Sequence, residues 1–167
     1  MAQTIPDAVL RERRRPAGRP RPEQGAQPTL RRSATALAGV PLFVGFSKRD
    51  LSRLAAEADE LRFEPGQVVV QEGAPGETLF VILSGEARVV RGGRTLARLR
   101  PGDFFGELSA LDGGPRSATI VAETPVAVLR LFRRTLVSTV KREPQLALKL
   151  MDGIVRRVRE IDRRLEA

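Results

Sequence analysis

The sequence predicts a mainly β fold, a small roll or barrel of short strands bracketed by helices, and three observations carry that expectation. Short β-rich runs stand at 67–71, 78–83, 86–91, 94–99, 117–122 and 125–132. Glycines at 66, 73, 76, 85, 92–93, 102 and 113–114 punctuate them about every ten residues, the turn spacing of a compact β-roll. On either side of this region the apolar pattern switches to the three-to-four step of a helix.

Residues 1–38 hold eight Arg against Asp7, Glu12 and Glu23, which is +5 of the chain's net +9 and leaves +4 for the remainder. With Pro6, Pro16, Pro20, Pro22 and Pro28 and few apolar side chains, this segment cannot bury enough surface to offset the entropy of ordering. A disordered Arg/Pro-rich tail is expected there, with the folded domain over 39–167. The run Arg13-Arg14-Arg15 attracts polyanions, but no aromatic accompanies it to stack on bases, so nucleic acid is not the expected partner.

The domain opens with Pro41-Leu-Phe and a short amphipathic helix. Ser47 with Asp50 three residues on reads as an N-cap with an acidic first turn, and Leu51, Leu54, Ala55 and Ala58 follow at helical spacing. The barrel is expected from about 61 to 132, with Gly92-Gly93 as a tight hairpin. C-terminal helices are expected over about 133–165, a short one to about Lys141 and a longer one opening near Pro144. Leu150, Ile154, Val158, Ile161 and Leu165 draw one stripe down the last helix. Its first half suits the barrel. Its second half, flanked by Arg156, Arg157, Arg159, Arg163 and Arg164, suits a second copy, so a homodimer is expected, with a helix folded over its own barrel as the alternative.

Composition removes several classes of function. With neither Cys nor His in 167 residues, disulfides, thiolate metal sites, Ser-His-Asp triads and most zinc sites are excluded. The start lacks a basic-then-apolar leader and no apolar run approaches a membrane span, so a soluble cytoplasmic protein without a membrane partner is expected. The excess of 26 Arg over three Lys, with abundant Ala, Gly, Val and Pro, is the bias of a GC-rich bacterial genome.

The densest chemistry lies between Phe105 and Thr119, in Phe-Gly-Glu-Leu-Ser-Ala-Leu-Asp-Gly-Gly-Pro-Arg-Ser-Ala-Thr. A Gly-Glu-Leu turn is followed, nine residues after the Glu, by Arg-Ser-Ala, which brings together backbone N–H groups, one carboxylate and one guanidinium. Arg116 can grip two phosphate oxygens with its planar fork, and N–H groups around Gly106 to Leu108 and Ser117 to Ala118 can form an anion-binding concavity. Glu107 only accepts hydrogen bonds, so beside a phosphate it calls for a donor such as a ribose hydroxyl. The set suits a sugar phosphate. A plain Arg116–Glu107 salt bridge across a surface loop is the bland alternative.

This segment resembles the phosphate-binding cassette of the cyclic nucleotide-binding domain family. Glu64-Pro-Gly-Gln, Gln71-Glu-Gly-Ala, Leu79-Phe-Val-Ile-Leu-Ser-Gly-Glu and Leu99-Arg-Pro-Gly-Asp-Phe-Phe-Gly-Glu follow that family's order of turns and strands, so the resemblance covers roughly residues 40 to 165. It implies a double-stranded β-helix (jelly-roll) barrel whose last helix is both lid and dimer seam. It also implies that Glu107 takes the ribose 2′-hydroxyl and Arg116 the cyclic phosphate. Gly106, Leu108, Ser117 and Ala118 would add backbone or hydroxyl contacts, and Val89 and Leu96 would wall the base. The positions from which the family often reads the base hold Ile161 and Asp162, which are departures from its hydroxyl side chains. Asp162 can accept from adenine or from guanine, so cAMP and cGMP both stay open, with cAMP preferred on the family's habit in bacteria.

The function expected is a cyclic nucleotide receptor, not an enzyme, with no cofactor or metal. Because the sequence carries no further domain after the last helix, the resemblance implies a stand-alone receptor that signals through an effector protein. A ligand-free dimerisation scaffold and a nucleic-acid accessory acting through the Arg-rich tail are the alternatives.

Overall fold

The computed structural model describes residues 30–166, with the side chains of Glu107, Leu108 and Ile161 among those outside the description. Helix α1 (Leu30–Ala38) leads through a 3-10 turn (Pro41–Phe43) into α2 (Lys48–Ala56). Eight strands follow: β1 (Asp59–Phe63), β2 (Val68–Val70), β3 (Thr78–Ser84), β4 (Ala87–Arg91), β5 (Arg94–Leu99), β6 (Phe104–Phe105), β7 (Thr119–Ala122) and β8 (Val126–Phe132). Helix α3 (Glu107–Asp112) interrupts them after β6, and α4 (Arg133–Arg142) and α5 (Gln145–Glu166) close the domain. The strands form two antiparallel four-stranded sheets, in the orders β1-β8-β3-β6 and β2-β7-β4-β5, the jelly-roll arrangement expected.

The first sheet is buried on both faces, and its side chains divide by the two-residue period of a strand. Phe80, Ile82, Val126 and Val128 meet Ala87, Ile120 and Ala122 of the second sheet in the barrel interior. Leu79, Val81, Leu129 and Leu131 face the other way and pack under the helices with Leu37, Leu54, Leu136, Leu146 and Leu150. Two strands escape the sequence pattern: β1, where Asp59, Glu60 and Arg62 mask the alternation of Leu61 and Phe63, and β6, which is two residues long. The run expected at 117–122 enters the sheet only at Thr119, because Ser117 and Ala118 leave it for the loop that carries Arg116.

The expected boundary after residue 38 falls at the end of a helix. Within α1, Ser33 and Leu37 are buried and the helix packs on α2, so ordered structure begins at least as early as Leu30. The rest of the predicted tail lies outside the described residues.

Ser47 and Asp50 form the predicted capping box: the Asp50 N–H donates to Ser47 Oγ at 3.1 Å and the Ser47 N–H to Asp50 Oδ2 at 3.0 Å. Burial acts to raise the pKa of Asp50, but the Ser47 hydrogen bonds and the nearby Lys149 outweigh it and hold the carboxyl below its ordinary value. A depressed folded-state pKa means stability that is present above the unfolded-state value and lost as pH falls through the folded-state one. Acid titration is therefore expected to remove the carboxylate's part of the capping box, while the Asp50 N–H still donates to Ser47 Oγ. Asp50→Asn, followed by urea unfolding, should lack that contribution at neutral pH and lose less stability than wild type on acidification.

Helix α5 is anchored at one end. Leu146 and Leu150 are buried and Ile154 is half-buried, while Gly153 lies so close to the 3-10 turn that a Cβ would stand 2.8 Å from Leu42 Cα and from its carbonyl oxygen. Gly153→Ala gains about 1 kcal/mol of helix propensity but forces the helix off that turn at about 1–3 kcal/mol, so a lower urea midpoint is expected. Of the predicted stripe, Leu150 and Ile154 thus belong to the chain's own core. Leu148, Met151, Val155 and Val158 are exposed and step by three or four along the helix, and Leu165, seven residues on, is exposed too.

Candidate functional site

The site is organised around Arg116, a guanidinium buried to 7% exposure where two loops are zipped together. The Arg116 N–H donates to the Ala74 carbonyl at 2.9 Å, the Gly73 N–H donates to the Arg116 carbonyl at 2.8 Å, and Pro75 bridges Pro115. This fixes the backbone and sends the side chain inward across the start of β3. There Nη1 donates to the Thr78 carbonyl at 2.7 Å and Nη2 to Thr78 Oγ1 at 2.6 Å, while Nη1 reaches the Gly106 carbonyl at 3.5 Å. The guanidinium carbon lies 5.7 Å from the centroid of Phe80, a cation–π distance.

Two glycines leave room for this group. A Cβ on Gly76 would collide with Arg116 Nε, and one on Gly106 would stand 2.6 Å from Nη1 and from the Thr78 carbonyl. Gly106 also has φ +82°, which L side chains rarely adopt, and it caps α3 without a side-chain hydrogen bond. The α3 N-terminus therefore opens on Gly106 with its first N–H groups uncapped. The N–H groups of Ser117 and Ala118 make no backbone hydrogen bond among the described residues, although Arg91 Nε holds the Ser117 carbonyl at 2.8 Å.

Arg116 has five N–H donors, and three hydrogen bonds to oxygen use three of them. Among the described residues no carboxylate pairs with it. Burial lowers its pKa from the ordinary arginine value, since removing the group from water penalises the charge. A buried cation calls for a counter-charge, and the two donors that meet no acceptor among the described residues leave room for an anion.

Of the residues singled out from sequence, the fold brings Gly106 and Arg116 together and sets Ser117 and the buried Ala118 beside them. Helix α3 starts at Glu107, so Glu107 and Leu108 supply its first turn, but their side chains lie outside the described residues. Val89 is half-buried against the barrel interior. Leu96 falls at a register shift in β5 and is 55% exposed. Asp162 is exposed on α5, whose chief contacts are with the 3-10 turn and α4, so no contact brings it to Arg116; the Ile161 side chain lies outside the described residues. Thr78, Gly76 and Phe80 were not singled out as site residues, because a threonine at the head of an apolar strand, a turn glycine and a strand phenylalanine carry no such signal until Arg116 is placed against them.

Residues 60–143, about half of the chain, match the model of the Cyclic nucleotide-binding domain. The chain belongs to the cyclic nucleotide-binding domain family. The Cyclic AMP receptor protein of Thermus thermophilus is 36% identical over 133 residues, covering 77% of this chain and 62% of that protein. A cGMP-dependent protein kinase of Toxoplasma gondii is 46% identical over 74 residues, 44% of this chain and 7% of the kinase. The chain thus spans less than two thirds of the length of these curated relatives. Among solved structures, the N-terminal domain of a transcriptional regulator from Streptomyces coelicolor A3(2) matches with a TM-score of 0.68 at 32% identity, over 78% of this chain and 94% of that one. Cyclic nucleotide-binding domains are thus the setting in which the Arg116 slot is to be understood. Among the described residues no helix is long and apolar enough to cross a membrane, and no group of acidic side chains is placed to hold a metal ion.

Proposed function

We propose that this chain is a receptor for a cyclic nucleotide, cAMP in preference to cGMP, which changes conformation on binding and passes the change to a partner protein. The observation that carries the reading is the buried Arg116 guanidinium, braced on Thr78 and left with donors to spend. In this reading Arg116 takes the cyclic phosphate and Glu107 the ribose 2′-hydroxyl. The N–H groups of Gly106, Leu108, Ser117 and Ala118 complete the cradle around the phosphate. Val89 and Leu96 wall the base, and Ile161 and Asp162 reach it only if α5 re-docks over the barrel. The chemistry is recognition, not turnover. The sequence has no His to act as a base, and in this reading the Glu107 carboxylate is engaged by the sugar.

The preference for cAMP is supported by the name of the Thermus relative, a Cyclic AMP receptor protein. The identity with a cGMP-dependent kinase favours cGMP as the second reading. Displacement of a fluorescent cAMP analogue separates them: cAMP is expected to displace it at the lower concentration, and the reverse order would assign the site to cGMP.

Capture of the phosphate draws the cassette inward and α4 and α5 re-dock, a shift between pre-existing arrangements. The apolar positions Leu148, Met151, Val155, Val158 and Leu165 make α5 the seam of a homodimer. Sedimentation velocity is expected to report a dimer for the wild-type chain and a monomer for Val155→Asp with Val158→Asp; a wild-type monomer would remove the seam.

A further inference from the structure

Outside the cassette, the β4–β5 hairpin carries a second concentration of charge. In its register Arg88 stands directly opposite Arg98, and Arg91 directly opposite Arg94. Like charges at opposed positions destabilise a strand pair, so the hairpin keeps two such pairs against its own stability. With Arg100, five exposed arginines lie on or beside two adjacent strands. Among the described residues the carboxylates on them are Glu123, 3.2 Å from Arg98 Nε, and Glu86, 4.0 Å from Arg100 Nε. Charge on an edge strand discourages aggregation. That need is met on β5, however, whereas Arg88 and Arg91 belong to β4, an inner strand of the sheet.

Among the described residues strand β5 ends its sheet, pairs with β4 alone, and is exposed from Arg94 to Arg98. We propose that this hairpin is a docking surface for an acidic, extended segment of a partner protein, which adds along the edge of β5 while its carboxylates meet the arginine pairs. The chain's own N-terminal 38 residues carry a net +5 and are repelled from it. A nucleic acid would answer the charge but not the backbone edge, and residues 86–100 contain no aromatic on which a base would stack. Arg91 also holds the Ser117 carbonyl, so a carboxylate that draws Arg91 away loosens the backbone beside Arg116. That coupling rests on the ligand reading above; the docking does not.

The test uses the isotope-labelled full chain without nucleotide, titrated with a short alternating glutamate–valine peptide, its glutamine–valine counterpart and a single-stranded oligonucleotide. The acidic peptide is expected to shift the amides of residues 94–98. Its affinity is expected to fall at least about tenfold in the double variant Arg88→Gln with Arg94→Gln. The same variant should melt above wild type, because both opposed pairs are broken, which separates lost docking from lost fold. Unmoved amides at 94–98, equal binding of the glutamine peptide, tighter binding of the oligonucleotide at these amides, undiminished binding by the variant, or a variant that melts below wild type would each overturn the proposal. Because no nucleotide is present, a failure of the ligand reading leaves this outcome unchanged.

Discussion

Replacing Arg116 with alanine is expected to weaken cyclic nucleotide binding by about 2 kcal/mol or more, at least about thirtyfold in Kd, because a charge-assisted contact is lost from an enclosed phosphate. The same change should cost the ligand-free protein little. Arg116 is buried, with two donors that meet no acceptor among the described residues, and removing it relieves a desolvated charge. Its hydrogen bonds to Thr78 and its contact with Phe80 are lost in exchange. The expected signature is thus a large loss of affinity with a small shift in melting temperature. Undiminished nucleotide binding by Arg116→Ala would place the phosphate elsewhere.

Gly76→Ala is expected to abolish binding nearly as completely, although Gly76 touches no ligand in the proposed pose. Its backbone is not left-handed, so alanine suits the turn, but the added Cβ would occupy the place of Arg116 Nε. The guanidinium must leave its slot, at an overpacking cost of about 1–3 kcal/mol in stability. The dependence on Arg116 can be isolated with a double-mutant cycle. If Gly76 acts only by displacing Arg116, the double variant should bind no worse than Arg116→Ala alone. Additive losses would show that Gly76 matters by another route.

What the sequence revealed and what it concealed have physical causes. The turns were legible because residues such as Gly66, Gly73 and Gly92 sit at positive φ where other residues are strained. The start of α2 was legible because a capping box is local, needing only Ser47 and Asp50 three residues apart. The nearness of Gly106 to Arg116 was legible because both lie on one short segment. The brace of Arg116 was not, since Thr78 is 38 residues away from it in sequence and meets it only through the zipped loops. The stripe on α5 was read as core in its first half and free in its second, and burial divides it in that way, with Leu150 and Ile154 covered and Val158 and Leu165 exposed. The further exposed apolar side chains of Leu148, Met151 and Val155 lie off that stripe, so its spacing did not single them out. Helix α1 was missed because arginines and the nearby Pro28 conceal the buried Ser33 and Leu37.

The most direct measurement is titration calorimetry of cAMP into the wild-type chain, first shown to be folded and free of co-purified nucleotide. The account predicts binding at micromolar concentration or tighter, with one site per chain. No heat from cAMP or from cGMP would contradict it, and would leave the barrel as an interaction scaffold that keeps the Arg116 slot without its ligand.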